Sequence, residues 1–101
     1  MEIFEIDAAY DYFLATLSNK TRLRILEELF KGPKNVSQLT QALPFDQSTI
    51  SNNLQRLKKC GFVKQQAKGR ERIYSLNKET IEPLIKLIHK HIKKYCVRCI
   101  Q

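Results

Sequence analysis

The last twelve residues, KHIKKYCVRCIQ (Lys90 to Gln101), together with the residue before them, hold both histidines, His89 and His91, and two of the three cysteines, Cys96 and Cys99. Thiolate sulfur and imidazole nitrogen are the donors that tetrahedral zinc and other thiophilic ions take. Spacing limits what they can do together. On a helix turning about 100° and rising about 1.5 Å per residue, Cys96 and Cys99 stand at i, i+3 and can chelate together. His89 and Cys96 are separated by about 10 Å along the same axis, too far for one ion. A complete ligand set therefore calls for a second copy of the helix, crossing antiparallel about a two-fold axis so that a histidine of one copy nears the cysteine pair of the other. The same pair could instead do redox work as a disulfide or persulfide, its thiol pKa lowered by Arg98 and nearby lysines, or hold a structural zinc. An odd cysteine count without a secretory signal argues against a disulfide framework, and Cys60, just before Gly61, is expected to act as a small buried hydrophobe.

The element that must carry these donors is a last helix from about Thr80 to Cys96. Ile81, Leu84, Ile85, Ile88, Ile92 and Tyr95 form one apolar stripe along it, with Lys86, Lys90, Lys93 and Lys94 opposite. Pro83 is tolerable in its first turn. A chain of 101 residues has little core left for such a stripe, so it is assigned chiefly to a dimer interface.

Upstream, Tyr10 to Leu17 carries Tyr10, Phe13, Leu14 and Leu17 at helical spacing. A second helix follows, with Ser18 as its expected N-cap, Leu23, Leu26, Leu29 and Phe30 on one face, and Gly32-Pro33 as its stop. Asn35-x-x-Gln38 has the form of a capping box and predicts a short helix to Leu43. Pro44-Phe45 makes a turn, and Asp46 caps DQSTISNNLQRLKKCG, with Ile50, Leu54 and Leu57 inward and Gly61 ending it. The period then becomes two, over Phe62 to Gln66 and Arg72 to Leu76, around a basic tip at Lys68-Gly69-Arg70-Glu71. The expected architecture is mainly α (α+β): one domain over residues 1–101, in the order α-α-α-α-β-β-α, a winged helix-turn-helix.

A short helix, a tight turn and a second helix opening with small polar side chains suit the major groove of double-stranded DNA. The second helix would present Gln47, Ser48, Thr49, Ser51, Asn52 and Gln55, with Arg56 behind them, while Lys68, Arg70 and Arg72 form a wing for phosphate or minor-groove contact. The totals agree. Eighteen Lys and Arg against ten Asp and Glu give a formal net charge of +8 and a pI near 9.6, a balance that favours a polyanionic partner. No apolar run reaches the roughly 20 residues of a membrane span, and MEIFEIDAAYDYF lacks a signal-peptide pattern, so a cytoplasmic protein is expected. No phosphate loop, nucleophile and base, or paired carboxylates stand out, and no catalytic role is expected.

The stretch LSNKTRLRILEELFKGPKNVSQLTQALPFDQSTISNNLQRLKKCGFVKQQAKGRERIYSLN resembles the ArsR/SmtB family of winged-helix repressors. The shared pattern is a Thr-Arg-Leu-x-Ile-Leu helix, a Gln-Ser-Thr-x-Ser-x-x-Leu-x-x-Leu recognition helix, a Gly-Phe-Val strand and a Gly-Arg wing leading to Tyr-x-Leu. The resemblance implies a homodimer joined through terminal helices that binds an imperfect palindrome and lets go when an inducer, commonly a metal ion, binds. Two departures stand out. Where many members carry Cys-x-Cys before the turn, this chain has Val36-Ser37-Gln38-Leu39, and Asn53 stands where a histidine is common. Thiol sensing at that helix is thereby excluded. The family's other metal pattern, on the last helix pair, would place its first two ligands near Pro83 and Ile85, which cannot bind metal, so a site built on His89, His91, Cys96 and Cys99 would be a variant.

Overall fold

The computed structural model describes residues 3–96, with only the helical backbone of residues 3–5. Its elements are α1 (Ile3–Leu17), α2 (Lys20–Phe30), α3 (Val36–Ala42), α4 (Gln47–Lys59), β1 (Val63–Lys68), β2 (Glu71–Leu76) and α5 (Ile81–Tyr95). This is the winged helix-turn-helix order expected from the sequence.

Each helix of the reading unit begins where its capping chemistry places it. Asn35 Oδ1 accepts from the Gln38 amide at 2.7 Å while Gln38 Oε1 accepts from the Asn35 amide at 2.8 Å, a reciprocal capping box. Asp46 Oδ1 accepts from the Thr49 amide at 2.7 Å and starts α4, which ends at Cys60 with Gly61 at φ +78, the left-handed residue that closes a helix. At α2 the cap is Asn19, whose Oδ1 accepts from the Arg22 amide at 3.0 Å, and not Ser18. Ser18 still donates its amide to the Leu14 carbonyl at 2.8 Å, so it belongs to the last turn of α1. That helix also starts well before Tyr10, because Asp7-Ala8-Ala9 interrupts the apolar spacing without breaking the backbone ladder.

The hairpin is closed by two residues, Gly69-Arg70. Gly69 has φ +64, and among the described residues no other residue type has positive φ, the pattern of a turn with glycine at its first central position. Its register runs from Lys68 opposite Glu71 to Val63 opposite Leu76. Arg72 therefore shares a face with buried Tyr74 and Leu76, while Lys68, Glu71, Ile73 and Ser75 lie on the other. The base of the wing is held from outside as well. Lys34 in the α2–α3 connection exchanges both backbone hydrogen bonds with Tyr74, at 3.0 and 2.8 Å.

The core joins Ile25, Leu26 and Leu29 of α2 to Leu39 and Leu43, Ile50, Leu54 and Leu57 of α4, Phe62 and Val63, and Tyr74 and Leu76. Ile81 and Ile85 complete it, each only 3% exposed. The stripe on α5 is thus divided, which corrects the assignment of Ile81 and Ile85 to a dimer interface. Ile81 and Ile85 are consumed by the protomer's own core, and Leu84 packs against that core. Ile88 and Ile92 are half-buried, and Leu87 and Tyr95 are exposed. The other terminal helix, α1, carries exposed apolar side chains of its own, Tyr10 and Leu14.

Candidate nucleic-acid interface

The polar face of α4 follows from its apolar one. With Ile50, Leu54 and Leu57 fully buried, the helical period turns Gln47, Ser48, Asn52 and Gln55 to solvent and leaves Thr49 and Ser51 half-buried at the edge. Ser51 and Gln55 line, with Arg70 and Arg72 of the hairpin and Ser37 of α3, one open groove of about 400 Å³. The recognition helix and the wing thus present amide, hydroxyl and guanidinium groups to the same space. Such a set can hydrogen-bond base edges and neutralise phosphates together. Lys68 is exposed on the opposite face of the hairpin, beside Gln66 and Glu71.

Arg56 does not join this face. Its Nε donates to Thr16 Oγ1 at 2.9 Å, and its guanidinium lies 4.1 Å from the centre of the Tyr12 ring, so it is directed to α1. About two and a half turns of α4 separate Arg56 from Gln47; position on the helix was legible, but not the acceptor waiting on α1. Ser37, in contrast, was missed. It is exposed in the first turn of α3 and reaches the groove only because the hairpin folds back beside it.

The Asp46 carboxyl at the N-terminus of α4 is held below the usual carboxylate range, first by the backbone hydrogen bond from Thr49. A depressed folded-state value means that its stabilisation is complete above the unfolded value and is lost as pH falls through the folded one. An Asp46→Asn variant keeps a capping oxygen but cannot titrate. Its thermal midpoint should fall less than that of the wild type between about pH 6 and about pH 3. Equal falls in the two proteins would show that this cap does not contribute to acid sensitivity.

Of the C-terminal donors, His89, His91 and Cys96 lie among the described residues. The helix ends at Tyr95, and Cys96, half-buried, is its C-cap at φ −118, ψ 25. Cys99 lies outside the described residues. His89 and His91 are both exposed, and His91 packs on Tyr95 with ring centres 4.9 Å apart. Among the described residues no three His, Cys, Asp or Glu side chains come together as a metal site. Cys60 is half-buried against the core, and no helix among the described residues is long and apolar enough to cross a membrane.

Comparison with known proteins agrees with this geometry. Residues 19–65 match the family model for bacterial regulatory proteins of the arsR family. The chain is 36% identical over 77 residues to the transcriptional repressor PagR of Bacillus anthracis, covering 75% of this chain and 77% of PagR. It is 29% identical over 77 residues to the transcriptional activator HlyU of Vibrio cholerae, covering 76% of this chain and 71% of HlyU. Among solved structures, the homodimeric winged helix-turn-helix DNA-binding domain of Mb0332 from Mycobacterium bovis, a possible ArsR-family regulator, superposes with a TM-score of 0.83. The identity there is 26%, over 90% of this chain and 84% of that one.

Proposed function

The chain belongs to the ArsR family of bacterial regulatory proteins, and from that premise we propose that it is a dimeric transcriptional repressor released from its operator by a thiophilic ion such as zinc. The observation that carries DNA binding is the single groove shared by Ser51 and Gln55 of the recognition helix, Arg70 and Arg72 of the wing, and Ser37. Gln47, Ser48, Thr49 and Asn52 extend the same surface toward the N-terminus of α4, and Lys68 adds charge at the wing tip. Dimerisation is supported by the exposed apolar side chains on both terminal helices and by the homodimeric state of the Mb0332 domain. Two reading helices related by a two-fold axis fit successive major grooves about 34 Å apart, hence an imperfect palindrome.

The inducer belongs to the C-terminal cluster. Two thiolates and an imidazole suit zinc, and an antiparallel crossing of two copies of α5 would bring His89 or His91 of one copy to Cys96 and Cys99 of the other. Bound there, the ion would supply a cross-link between the two copies of α5. What the chain itself contributes is the seating of α5 on the core through Ile81 and Ile85, the route by which a change in the angle of α5 would be passed to the reading unit.

The test is a titration of reduced, metal-free protein with zinc and then cadmium. The readouts are cadmium–thiolate absorption and the anisotropy of a labelled duplex recovered from a randomised library by the wild type. Binding that is lost in the Cys96→Ser, Cys99→Ser variant, with DNA released on saturation, is the expected result. Saturable binding with unchanged DNA affinity would make the cluster structural. No metal binding would move the input to thiol oxidation.

A further inference from the structure

Two guanidinium groups meet between the recognition helix and α1, and among the described residues neither forms an ion pair. Arg22, on α2, donates from Nε to the Thr16 carbonyl at 2.7 Å and from one terminal nitrogen to the Ala15 carbonyl at 3.1 Å. Its other terminal nitrogen donates to Asn53 Oδ1 on α4 at 3.1 Å. Asn53 is held in turn, donating from Nδ2 to the Thr49 carbonyl at 2.8 Å. From the other side, Arg56 of α4 donates to the Thr16 hydroxyl, which itself donates to the Tyr12 carbonyl at 2.7 Å. Thr16 is fully buried, the one polar residue in that class among the described residues.

This placement has a physical cause. Ala15 and Thr16 are in the last turn of α1, where backbone carbonyls lack intrahelical donors and the helix dipole is negative. Those carbonyls, the Thr16 hydroxyl and the Tyr12 ring face offset the repulsion between the two arginines. Burial, and then the neighbouring Arg56 charge, push the Arg22 guanidinium below its ordinary value, which is consistent with that crowding. Five side chains from three helices therefore converge on one end of α1.

We propose that Thr16, Arg22, Asn53, Arg56 and Tyr12 are positioning residues that lock the reading helix to α1, so that a dimer interface made by the terminal helices fixes the spacing between its two reading helices. The inference rests on the proposed dimer and DNA contact. None of the five touches DNA in it. Losing the lock should leave each half able to read its half-site while the two halves no longer hold a common spacing.

The experiment uses the full chain and three duplexes: the palindrome selected by the wild type, the same duplex with one half scrambled, and versions with one or two base pairs inserted between halves. Thr16→Val removes the hydroxyl at the centre of the network, at a position away from the reading groove. The expected result is at least a tenfold loss on the palindrome, under twofold change on the half-site, and a flattened response to the inserted base pairs, with dimer mass unchanged in sedimentation. Tyr12→Leu, which removes the ring face from a side chain at the protein surface, should show the same split if the threonine variant fails to fold. Equal losses on half-site and palindrome would overturn the lock, as would no loss on either. A monomeric wild type, or a selected duplex without two-fold symmetry, would instead overturn the dimer on which the lock depends, and the wild type alone decides that.

Discussion

Alanine at both Arg70 and Arg72 should leave the fold intact and make DNA binding weaker and much less sensitive to salt. Each phosphate neutralised adds about 0.9 to the slope of log affinity against log salt, so two lost per wing, in a dimer, should lower the slope by roughly 3.6. The penalty itself then depends on conditions. Between about 50 and about 200 mM salt the ratio of wild-type to variant affinity should shrink by roughly two orders of magnitude. Affinities measured across that range, on the selected duplex and on an unrelated one, check the point. Loss on both duplexes identifies phosphate contacts, loss confined to the selected duplex identifies base reading, and an unchanged slope would remove the wing from the interface. Both side chains project from an exposed turn and strand beside the groove, so little stability is at stake in their removal.

The opposite case is Leu54→Ala. Leu54 is fully buried on the inner face of the recognition helix, and truncating it leaves a cavity in a small core. Such changes cost about 2–5 kcal/mol, against a total of about 5–15 kcal/mol for a typical domain. A midpoint lowered by tens of degrees is expected, since about 1 kcal/mol moves a domain of this size by about 4–8 °C. Urea unfolding at fixed protein concentration should show the loss with an unchanged slope on denaturant. A cost below about 1 kcal/mol would mean that the core can collapse around the site.

The reading unit was legible because its local rules agree. Asn35 with Gln38, Asp46, the spacing of Ile50, Leu54 and Leu57, and Gly61 each mark a boundary or a face without reference to distant residues, and all were found in place. What failed depends on contacts between elements. The α5 stripe gave its own direction correctly, but a helical wheel cannot divide a stripe between two partners. Ile81 and Ile85 were taken into the protomer's own core. Arg56 has the charge and the position of a DNA contact, yet Thr16 lies 40 residues away in sequence and could not be anticipated as its partner. The pairing of Lys34 with Tyr74 likewise joins segments that no local pattern connects.

The two-residue closure of the wing limits how such a protein can change over generations. With Gly69 and Arg70 as the whole turn, an extra residue in one strand must bulge or slip the pairing. An extra residue in both would turn the tip to the opposite face. Only steps of two per strand keep the arginine of the turn on the side of the groove, and each such step moves it outward by about 7 Å, since a strand advances about 3.4 Å per residue. A lineage that lengthens this wing would therefore move its arginine in jumps of that size, with no intermediate step that keeps it beside the groove.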